Sequence, residues 1–392
     1  MKRLFLHLAL LRKSNWLLVL AMVLLVTVGV LFIRSACASR QEAVIRNLYR
    51  VQIFWGLAGL GVFTVVSLLD YRKLTEWVWF YYACGIALLV MVLAVGKMMY
   101  GSRRWLNFFG MTIQPSELAK LALLMTIAWV LSRPGIALKR WSTVFLVLAL
   151  TVLPMGLILM EPDLGTAIVC VPIAGAMLFV GGASLKQLGL LALAAGLGAG
   201  VMLGTVLVPR WMGMDEDRQK AIFTSVTGLK EYQWRRLVVF VDPASDRLGA
   251  GYNSWQSRLA IGSGGLTGKG YMQGTQSGLG YLPRTVASTD FIFSVIGEET
   301  GFAGGAGVLG LFAVVVGCGL YAAATARDRL GRLICTGVAA MMFAHVFVNI
   351  AMTIGVMPVT GIPLPLVSYG GSFMLCMMAS LGLVQSVYCR RI

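Results

Sequence analysis

The sequence has little charge and almost no histidine. Only 12% of its 392 residues are charged and 58% are hydrophobic, whereas about a quarter of the residues in a soluble domain are charged. No water-soluble fold hides that much apolar surface, because surface-to-volume scaling leaves too much of it outside. His7 and His345 are the two histidines, so a histidine-based metal site or a Ser-His-Asp triad has almost no residues to draw on.

Sequence features typical of three other kinds of protein are also missing. The seven cysteines form no CxxC pair and no metal-ligand spacing, which predicts that they are buried small hydrophobes. No GxxxxGK(S/T) motif is present, so a bound nucleotide is not expected. The net charge of +17 comes from 33 basic residues that are spread over short segments, without the dense tract that nucleic-acid binding favours. We therefore expect no nucleic-acid partner.

The sequence does contain a series of long apolar runs. Each has about 17 to 25 residues, enough to cross roughly 30 Å of hydrocarbon as a helix. They predict an all-α, multi-pass membrane protein with ten transmembrane helices, forming one integral-membrane domain over residues 1–392. The predicted spans are 16–33, 51–69, 77–95, 116–132, 142–160, 165–181, 187–208, 302–325, 333–354 and 372–389.

Basic residues in the short connecting segments predict the orientation, because cytoplasmic loops collect Lys and Arg. With the N-terminus inside, the inner segments hold fifteen: Lys2, Arg3, Arg12, Lys13, Arg72, Lys73, Arg133, Lys139, Arg140, Lys186, Arg327, Arg329, Arg332, Arg390 and Arg391. The short outer segments hold seven: Arg34, Arg40, Arg46, Arg50, Lys97, Arg103 and Arg104. Both termini are therefore predicted to be cytoplasmic (N-in/C-in). Residues 209–290, between the seventh and eighth helices, then form a large extracytoplasmic loop without obvious secondary structure, and such long loops are usually functional.

The second outer segment leads into the fourth predicted helix through Gln114-Pro-Ser-Glu117, and Lys120 follows one turn later. Pro115 suits a first helical turn, and Glu117 and Lys120 then lie on the same helix face. An ionisable residue within a span suggests a functional site, here a half-buried cation for an anionic lipid headgroup. The alternative is a structural ion pair between Glu117 and Lys120.

Other polar motifs fall in the remaining outer segments. Glu161-Pro-Asp-Leu-Gly-Thr166 puts two carboxylates in a short turn, which its Pro-Asp-x-Gly pattern alone would explain. The glycine-rich run 261–270 contains Lys269 and predicts either a phosphate cradle of backbone N–H groups or a flexible loop. Asp290 is a carboxylate at the membrane surface or a helix cap. Residues 357–371 contain three prolines and two adjacent glycines, which predict a re-entrant segment buried in protein or lining a cavity.

Together these motifs resemble those of the SEDS family of bacterial membrane proteins, which includes RodA, FtsW and SpoVE. The resemblance covers nearly the whole chain. Its most specific parts are Arg104-Trp105 with Gln114-Pro-Ser-Glu117, Glu161-Pro-Asp-Leu-Gly165, Gln256-Ser257 with residues 261–265 and 268–270, Thr289-Asp-Phe-Ile-Phe293, and residues 360–371. The forms of residues 242–252, 268–270 and 362–367 are more similar to the RodA branch than to the FtsW branch.

The resemblance implies a peptidoglycan glycosyltransferase that polymerises lipid II into glycan strands on the outer face of the bacterial cytoplasmic (inner) membrane, in cell elongation and shape maintenance. Its implied partners are a class B penicillin-binding protein, which supplies transpeptidation, and other membrane proteins of the elongation complex. A donor activated by a lipid diphosphate needs no nucleotide. The chemistry is compatible with a divalent cation, Mg²⁺ or Mn²⁺, because hard cations bind diphosphate and carboxylate oxygens; the sequence identifies no ligands for it.

An inverting displacement of this kind needs a base for the acceptor hydroxyl and positive charge for the departing diphosphate. Asp290 is the expected base. Arg104, Lys120 and Lys269 are expected to neutralise the leaving group, and Trp105 is expected to pack against a sugar or lipid. The other expected substrate-binding residues are Glu117, Asp163, Gln256 and Ser257.

One segment departs from the family pattern Leu-Pro-Glu-x-His-Thr-Asp. Here Leu282-Pro283 is followed by Arg284-Thr-Val-Ala-Ser288 before Thr289-Asp290, so the spacer is two residues longer and lacks the Glu and the His. Roles of those two residues do not transfer to this chain, whereas that of the Asp does. Two other functions stay open. A lipid flippase or transporter should have charged residues along a path at mid-membrane, and a non-catalytic scaffold would recruit the transpeptidase through its helices.

Overall fold

The computed structural model describes residues 13–38, 46–99, 102–108, 111–136, 139–243, 246, 249 and 251–391. Four residues of the charge comparison, Lys2, Arg3, Arg12 and Arg40, lie outside these ranges, and so does part of the 242–252 stretch. The helices of the described residues are α1 (Trp16–Cys37), α2 (Leu48–Leu68), α3 (Tyr71–Thr75), α4 (Val78–Val95), α5 (Pro115–Ser132), α6 (Trp141–Met160), α7 (Leu164–Gly181), α8 (Leu185–Trp211), α9 (Glu216–Thr227), α10 (Glu231–Val241), α11 (Tyr252–Ser263), α12 (Thr275–Gly278), α13 (Arg284–Ala287), α14 (Ile292–Ala324), α15 (Arg329–Thr353) and α16 (Gly371–Cys389).

Ten of these helices are long and apolar enough to cross a membrane, which confirms the predicted number of spans. They are α1, α2, α4, α5, α6, α7, α8, α14, α15 and α16. Local signals fix several of their starts. Pro115 takes the first turn of α5, where a missing N–H costs nothing. The side chain of Asp163 accepts the N–H of Thr166 and caps α7, which satisfies a donor that every helix start leaves unpaired.

The centre of the bundle lies where α5, α15 and α16 pack together, and most residues of these three helices are buried. In contrast, α8 lies at the edge of the bundle beside α7 and is exposed along most of its length. Glycine allows close helix packing on α2, where a Cβ at Gly59 would come within 2.8 Å of Met378. The glycines of α8 have no such role, since a Cβ added to Gly196, Gly198 or Gly200 would meet no atom of the described residues within 4 Å.

Residues 209–290 contain regular structure, contrary to the expectation of a loop without it. After α8 ends at Trp211, the chain forms α9, α10 and α11. In α10 the apolar residues recur at Trp234, Leu237, Val238 and Val241, which is the spacing of one helix face. That face packs on α9 and on the end of α8, and the buried members of this small second core are Val206, Phe223, Trp234 and Leu237.

The eighth span also begins earlier than predicted. The apolar run starts near residue 302, but α14 extends back to Ile292 and includes Glu298 and Glu299. Gly301 has φ +65° and ψ −163° and bends the helix. A side chain at Gly301 would be strained and would collide with the backbone of Gly268, so glycine is required at this bend.

We call one end of the bundle the loop face. It carries the described residues of 96–114, 161–163, 212–291 and 354–370, and it lies opposite the end that holds Asn15 before α1 and Arg390 after α16; in the predicted orientation it is extracytoplasmic. The described residues between 97 and 113 form a small antiparallel sheet in the order β1 (Lys97–Met99), β2 (Ser102–Phe108) and β3 (Met111–Ile113), which an all-α prediction does not include. Residues 354–370 are largely non-helical; their first residues are partly exposed, whereas residues 364–368 are buried and Leu364, Leu366 and Val367 are fully enclosed, as expected for a re-entrant segment.

Candidate active site

A cavity of about 400 Å³ lies at the loop face. Its wall combines β2, the starts of α5, α7 and α16, the helices α10 and α11, the segment before α14 and the re-entrant segment. The lining residues are Arg104, Trp105, Gln114, Thr166, Tyr232, Arg236, Asn253, Val286, Thr289, Asp290, Phe291, Val359, Gly361, Pro363, Tyr369, Gly370, Ser372 and Phe373. A concave site with a few converging polar groups is the usual form of a small-molecule site.

Asp290 lies on this wall, between α13 and α14. Its Oδ2 and the guanidinium of Arg236 flank Gly361, at 3.4 Å and 3.8 Å from the position of a Cβ on that glycine. Burial raises the pKa of Asp290 to about 6, against the lowering effect of the positive charge on Arg236. The N-cap residue of α14 is Phe291, and no side chain caps that helix. The position of Asp290 therefore gives no support to the helix-cap alternative.

Two arginines bring positive charge to the cavity. The guanidinium of Arg104 donates to the backbone carbonyls of Glu161, at 3.3 Å, and Pro162, and it lies 3.8 Å from Oδ1 of Asp163. Arg236 donates to the hydroxyl of Tyr232, one turn earlier on α10. Burial, with the nearby charge of Arg104, lowers the pKa of Arg236 to about 10. Arg236 therefore stays charged at neutral pH, and the cavity wall carries two cations.

The short turn behind Arg104 holds two buried carboxyl groups. Asp163 is buried and accepts hydrogen bonds from Gln114 and from Thr166. Glu161 is 1% exposed, and neither of its carboxyl oxygens has a hydrogen-bond partner among the described residues. Burial and then the neighbouring Asp163 raise the pKa of Glu161 to about 8, so this group is protonated at neutral pH. Through its contact with Arg104, Asp163 lies next to the cavity and orients that guanidinium.

Glu117 and Lys120 lie deeper, inside the bundle. Nζ of Lys120 is 2.9 Å from Oε1 of Glu117 and 2.8 Å from Nε2 of His345 on α15. The side chain of Lys120 has no exposed surface, and neither residue is part of the cavity wall in the described structure. This geometry is that of the structural ion pair, the alternative interpretation of the motif; the headgroup role of Lys120 stays a prediction.

Three other predicted residues also lie away from the cavity wall. Oγ of Ser257 on α11 bonds to Oγ of Ser294 at 2.6 Å and to the carbonyl of Thr353 at 2.7 Å, and Gln256 beside it is half-buried. Nζ of Lys269 is 2.6 Å from the fully buried Glu298. The N–H groups of Lys269 and its successor Gly270 donate to the carbonyls of residues 298 and 299, so these two are not available to cradle a phosphate.

The spacer at residues 284–288, which departs from the family pattern, contains the single helical turn α13. It places Val286 on the cavity wall and buries Ala287, so the spacer shapes the cavity beside Asp290.

For a divalent cation the described residues offer no preassembled site. No three His, Cys, Asp or Glu side chains come together in the described part of the chain. Asp290 supplies a carboxylate to the cavity, and a hard cation there would need further oxygens, which a substrate diphosphate carries.

Sequence reasoning missed Arg236, Tyr232 and Asn253, all in the long loop. The spacing of Tyr232 and Arg236, four residues apart on an amphipathic helix, is a signal that the apolar repeat of α10 could have revealed.

The fold and the cavity thus define a multi-pass membrane protein with a polar site at one end of its bundle. The FTSW_RODA_SPOVE family model, described as cell cycle protein, matches residues 15–391. The chain therefore belongs to the FtsW/RodA/SpoVE family, which is the SEDS family that its motifs resemble.

Similar proteins agree with this assignment. The chain is 34% identical to peptidoglycan glycosyltransferase RodA of Treponema pallidum (strain Nichols), over 96% of this chain and 98% of the relative. It is 37% identical to peptidoglycan glycosyltransferase MrdB of Escherichia coli (strain K12), over 85% and 83%. A chain from a peptidoglycan synthase complex, in which polymerisation and crosslinking are coordinated, superposes with a TM-score of 0.75 at 30% identity, over 96% and 98%. The crystal structure of Thermus thermophilus RodA gives a TM-score of 0.65 at 29% identity, over 96% and 97%.

Proposed function

We propose that this chain polymerises lipid II into glycan strands by a single inverting displacement, with Asp290 as the base. Its family and the names of its relatives make it a peptidoglycan glycosyltransferase. The observation that carries the residue assignment is the cavity at the loop face, where one carboxylate of raised pKa lies opposite two charged arginines.

In this mechanism the acceptor sugar hydroxyl loses its proton to Asp290 while its oxygen bonds to the anomeric carbon of the donor. The bond between that carbon and the diphosphate oxygen breaks on the opposite side, so the anomeric centre is inverted. The diphosphate leaves with the bonding electron pair, and Arg104 and Arg236 stabilise its charge. Trp105 offers an aromatic face to a sugar or lipid. A divalent cation, Mg²⁺ or Mn²⁺, would supply further positive charge for the leaving diphosphate when bound, and Asp290 is the residue of the described cavity wall whose carboxylate could help to hold it.

The chain is a multi-pass membrane protein, and we place it in the bacterial cytoplasmic membrane with the loop face outside. There the cavity meets lipid II after its headgroup has crossed the membrane. Since a similar chain is part of a peptidoglycan synthase complex, a class B penicillin-binding protein is the proposed partner, with other membrane proteins of the elongation complex. Polymerisation and crosslinking would then take place side by side.

The direct test is to incubate the purified protein with lipid II, with and without a class B penicillin-binding protein, and to separate the products by size. We expect glycan strands from the wild type, and polymerisation by Asp290→Asn that is slower by about 10² to 10⁴. Movement of lipid II across a liposome bilayer without polymer would instead indicate a flippase. Binding of the penicillin-binding protein without either activity would indicate a scaffold.

A further inference from the structure

Three consecutive backbone carbonyls around the proposed base are each held by a different donor. The bonds are Tyr369 N–H to Ser288 O at 2.9 Å, Ser368 Oγ to Thr289 O at 2.5 Å, and Asn349 Nδ2 to Asp290 O at 2.8 Å. Two donors belong to the re-entrant segment and the third belongs to α15. The segment that carries the base is therefore fixed by parts of the chain that are distant in sequence.

Asn349 has the central place in this arrangement. Its side chain is fully buried, and its amide nitrogen donates both to the carbonyl of Asp290 and to the carbonyl of Ile362, the latter at 2.7 Å. A primary amide has two N–H donors on one nitrogen, so one side chain joins the base segment to the re-entrant segment. Ile362 follows Gly361, the residue flanked by Asp290 and Arg236.

The re-entrant segment is itself held in one conformation. Oγ of Ser368 accepts the N–H of Leu364 at 2.7 Å, and Gln52 on α2 donates to the carbonyl of Ser368 at 3.1 Å. Leu366 has φ +65°, a left-handed conformation that a leucine rarely adopts, and it is fully buried. Such strain persists only where the surroundings over-determine the backbone. The re-entrant segment can therefore serve as a fixed support for its neighbours.

We propose that Asn349 is a positioning residue, whose amide holds the Asp290 backbone against Ile362 and so keeps the Asp290 carboxylate beside Gly361 and facing the cavity. The proposal rests on the proposed function, because it requires Asp290 to be the base. A leucine has the same number and branching of side-chain heavy atoms but no hydrogen-bond donor, so the carbonyls of Asp290 and Ile362 would lose their shared partner. A displacement of about 1 Å at a reacting group can cost roughly a hundredfold in rate.

The experiment compares Asn349→Leu with Gln385→Leu in the full-length protein, using lipid II as substrate. Gln385 on α16 is the matched control, since it is another buried amide and its side chain has no hydrogen-bond partner among the described residues. For each variant kcat, KM for lipid II and the melting temperature are measured. We expect Asn349→Leu to lower kcat at least tenfold with KM within threefold of wild type, and Gln385→Leu to keep both.

The outcomes separate this proposal from the function it rests on. If Asp290→Asn polymerises lipid II normally, the proposed base is wrong. If Asp290→Asn is inactive but a folded Asn349→Leu keeps wild-type kcat, the positioning role alone is wrong. The positioning role is also wrong if Gln385→Leu loses as much kcat as Asn349→Leu. Should Asn349→Leu fail to fold, Ser368→Ala is measured instead, because it removes the neighbouring hydrogen bond to the carbonyl of Thr289. A reduced kcat at normal KM would support positioning of Asp290 by this segment, and an unchanged kcat would overturn it.

Discussion

At the scale of single residues, Asp290 and Arg236 determine each other's electrostatics. Burial alone would raise the pKa of the carboxyl group further, and the guanidinium opposite limits that rise to about 6. Charge–charge interactions strengthen as water is removed, so each of these partly enclosed groups responds to the loss of the other's charge. The carboxylate is thereby ionised at neutral pH while staying basic enough to accept a proton, which is the compromise that general-base catalysis favours.

The first prediction is that Asp290→Asn lowers the polymerisation rate by about 10² to 10⁴, the usual contribution of a placed base. Asparagine has nearly the same shape but accepts no proton. Lipid II binding and the melting temperature should stay near wild type, since the backbone bonds of residue 290 are unchanged. Activity within a few-fold of wild type, measured with purified protein, would remove Asp290 from the chemistry.

The second prediction concerns pH. Asp290 must be ionised to act, so the rate should fall as the pH drops through about 6. In Arg236→Gln the carboxylate loses a stabilising positive charge, its pKa rises further, and the acid limb of the rate profile should move to higher pH. Arg235→Gln is the matched control, because Arg235 pairs with Glu231 on the exposed side of α10. An identical acid limb in wild type and Arg236→Gln would contradict an effect of the Arg236 charge on the pKa of Asp290.

The third prediction addresses Lys120. Removing one member of a buried ion pair leaves an uncompensated charge and costs about 3–5 kcal/mol. Lys120→Met should therefore lower the melting temperature clearly, and Glu117→Gln combined with Lys120→Met should recover part of the loss. If Lys120→Met melts like wild type but has lost lipid II turnover, the headgroup interpretation is correct instead.

The sequence predicted some residues of the site and missed others, for a physical reason. Arg104, Trp105 and Asp290 stand next to spans in recognisable motifs, and the cavity brings all three together. Arg236 is one of many basic residues in a long loop, and only the packing of α10 turns it toward the cavity. The buried position of Lys120 includes a contact with His345, which is 225 positions away in the sequence. No local sequence pattern reveals such a contact.

At the scale of elements, the glycine-rich segment is a fixed attachment to α14. Glu298 is fully buried and accepts hydrogen bonds from the Lys269 ammonium and from the N–H groups of Thr275 and Gln276. Glu299 accepts from Ser35 on α1 and from the N–H of Met272. These contacts explain why α14 extends ten residues beyond its apolar run: its two carboxylates are satisfied by a segment that hydropathy alone does not connect to it.

The fourth prediction follows from this attachment. Glu298→Gln keeps the shape but removes the charge from a group with several donors, and hydrogen bonds to charged groups contribute about 1.5–3 kcal/mol each. The variant should melt at a lower temperature, and trypsin should cut after Lys269 faster than in the wild type. Glu216→Gln is the control, because Glu216 forms an exposed pair with Lys220 and such pairs contribute little. Equal cleavage rates in the two variants would contradict a fixed segment.

At the scale of the whole molecule, the two ends of the helix bundle carry different features. The loop face holds the cavity, the second small core and the re-entrant segment, whereas the opposite end holds short connections rich in Lys and Arg. Hydropathy predicted all ten spans because each must satisfy its backbone within an apolar solvent. It could not predict the helices within residues 212–291, since α9 and α10 are amphipathic helices positioned by their packing on α8, and α11 is positioned by its packing on α14.

The last prediction tests the orientation, on which the access of the cavity to lipid II depends. Fifteen basic residues in the short segments at one end against seven at the other predict that the loop face is outside. The native cysteines give little background, because six are buried and Cys84 is half-buried within α4. A maleimide that does not cross membranes should label Asp217→Cys, on the exposed side of α9, in intact cells. It should label Arg140→Cys, exposed before α6, only after the cells are permeabilised. The reverse pattern would put the cavity in the cytoplasm, where a lipid II polymerase would have no access to the cell wall.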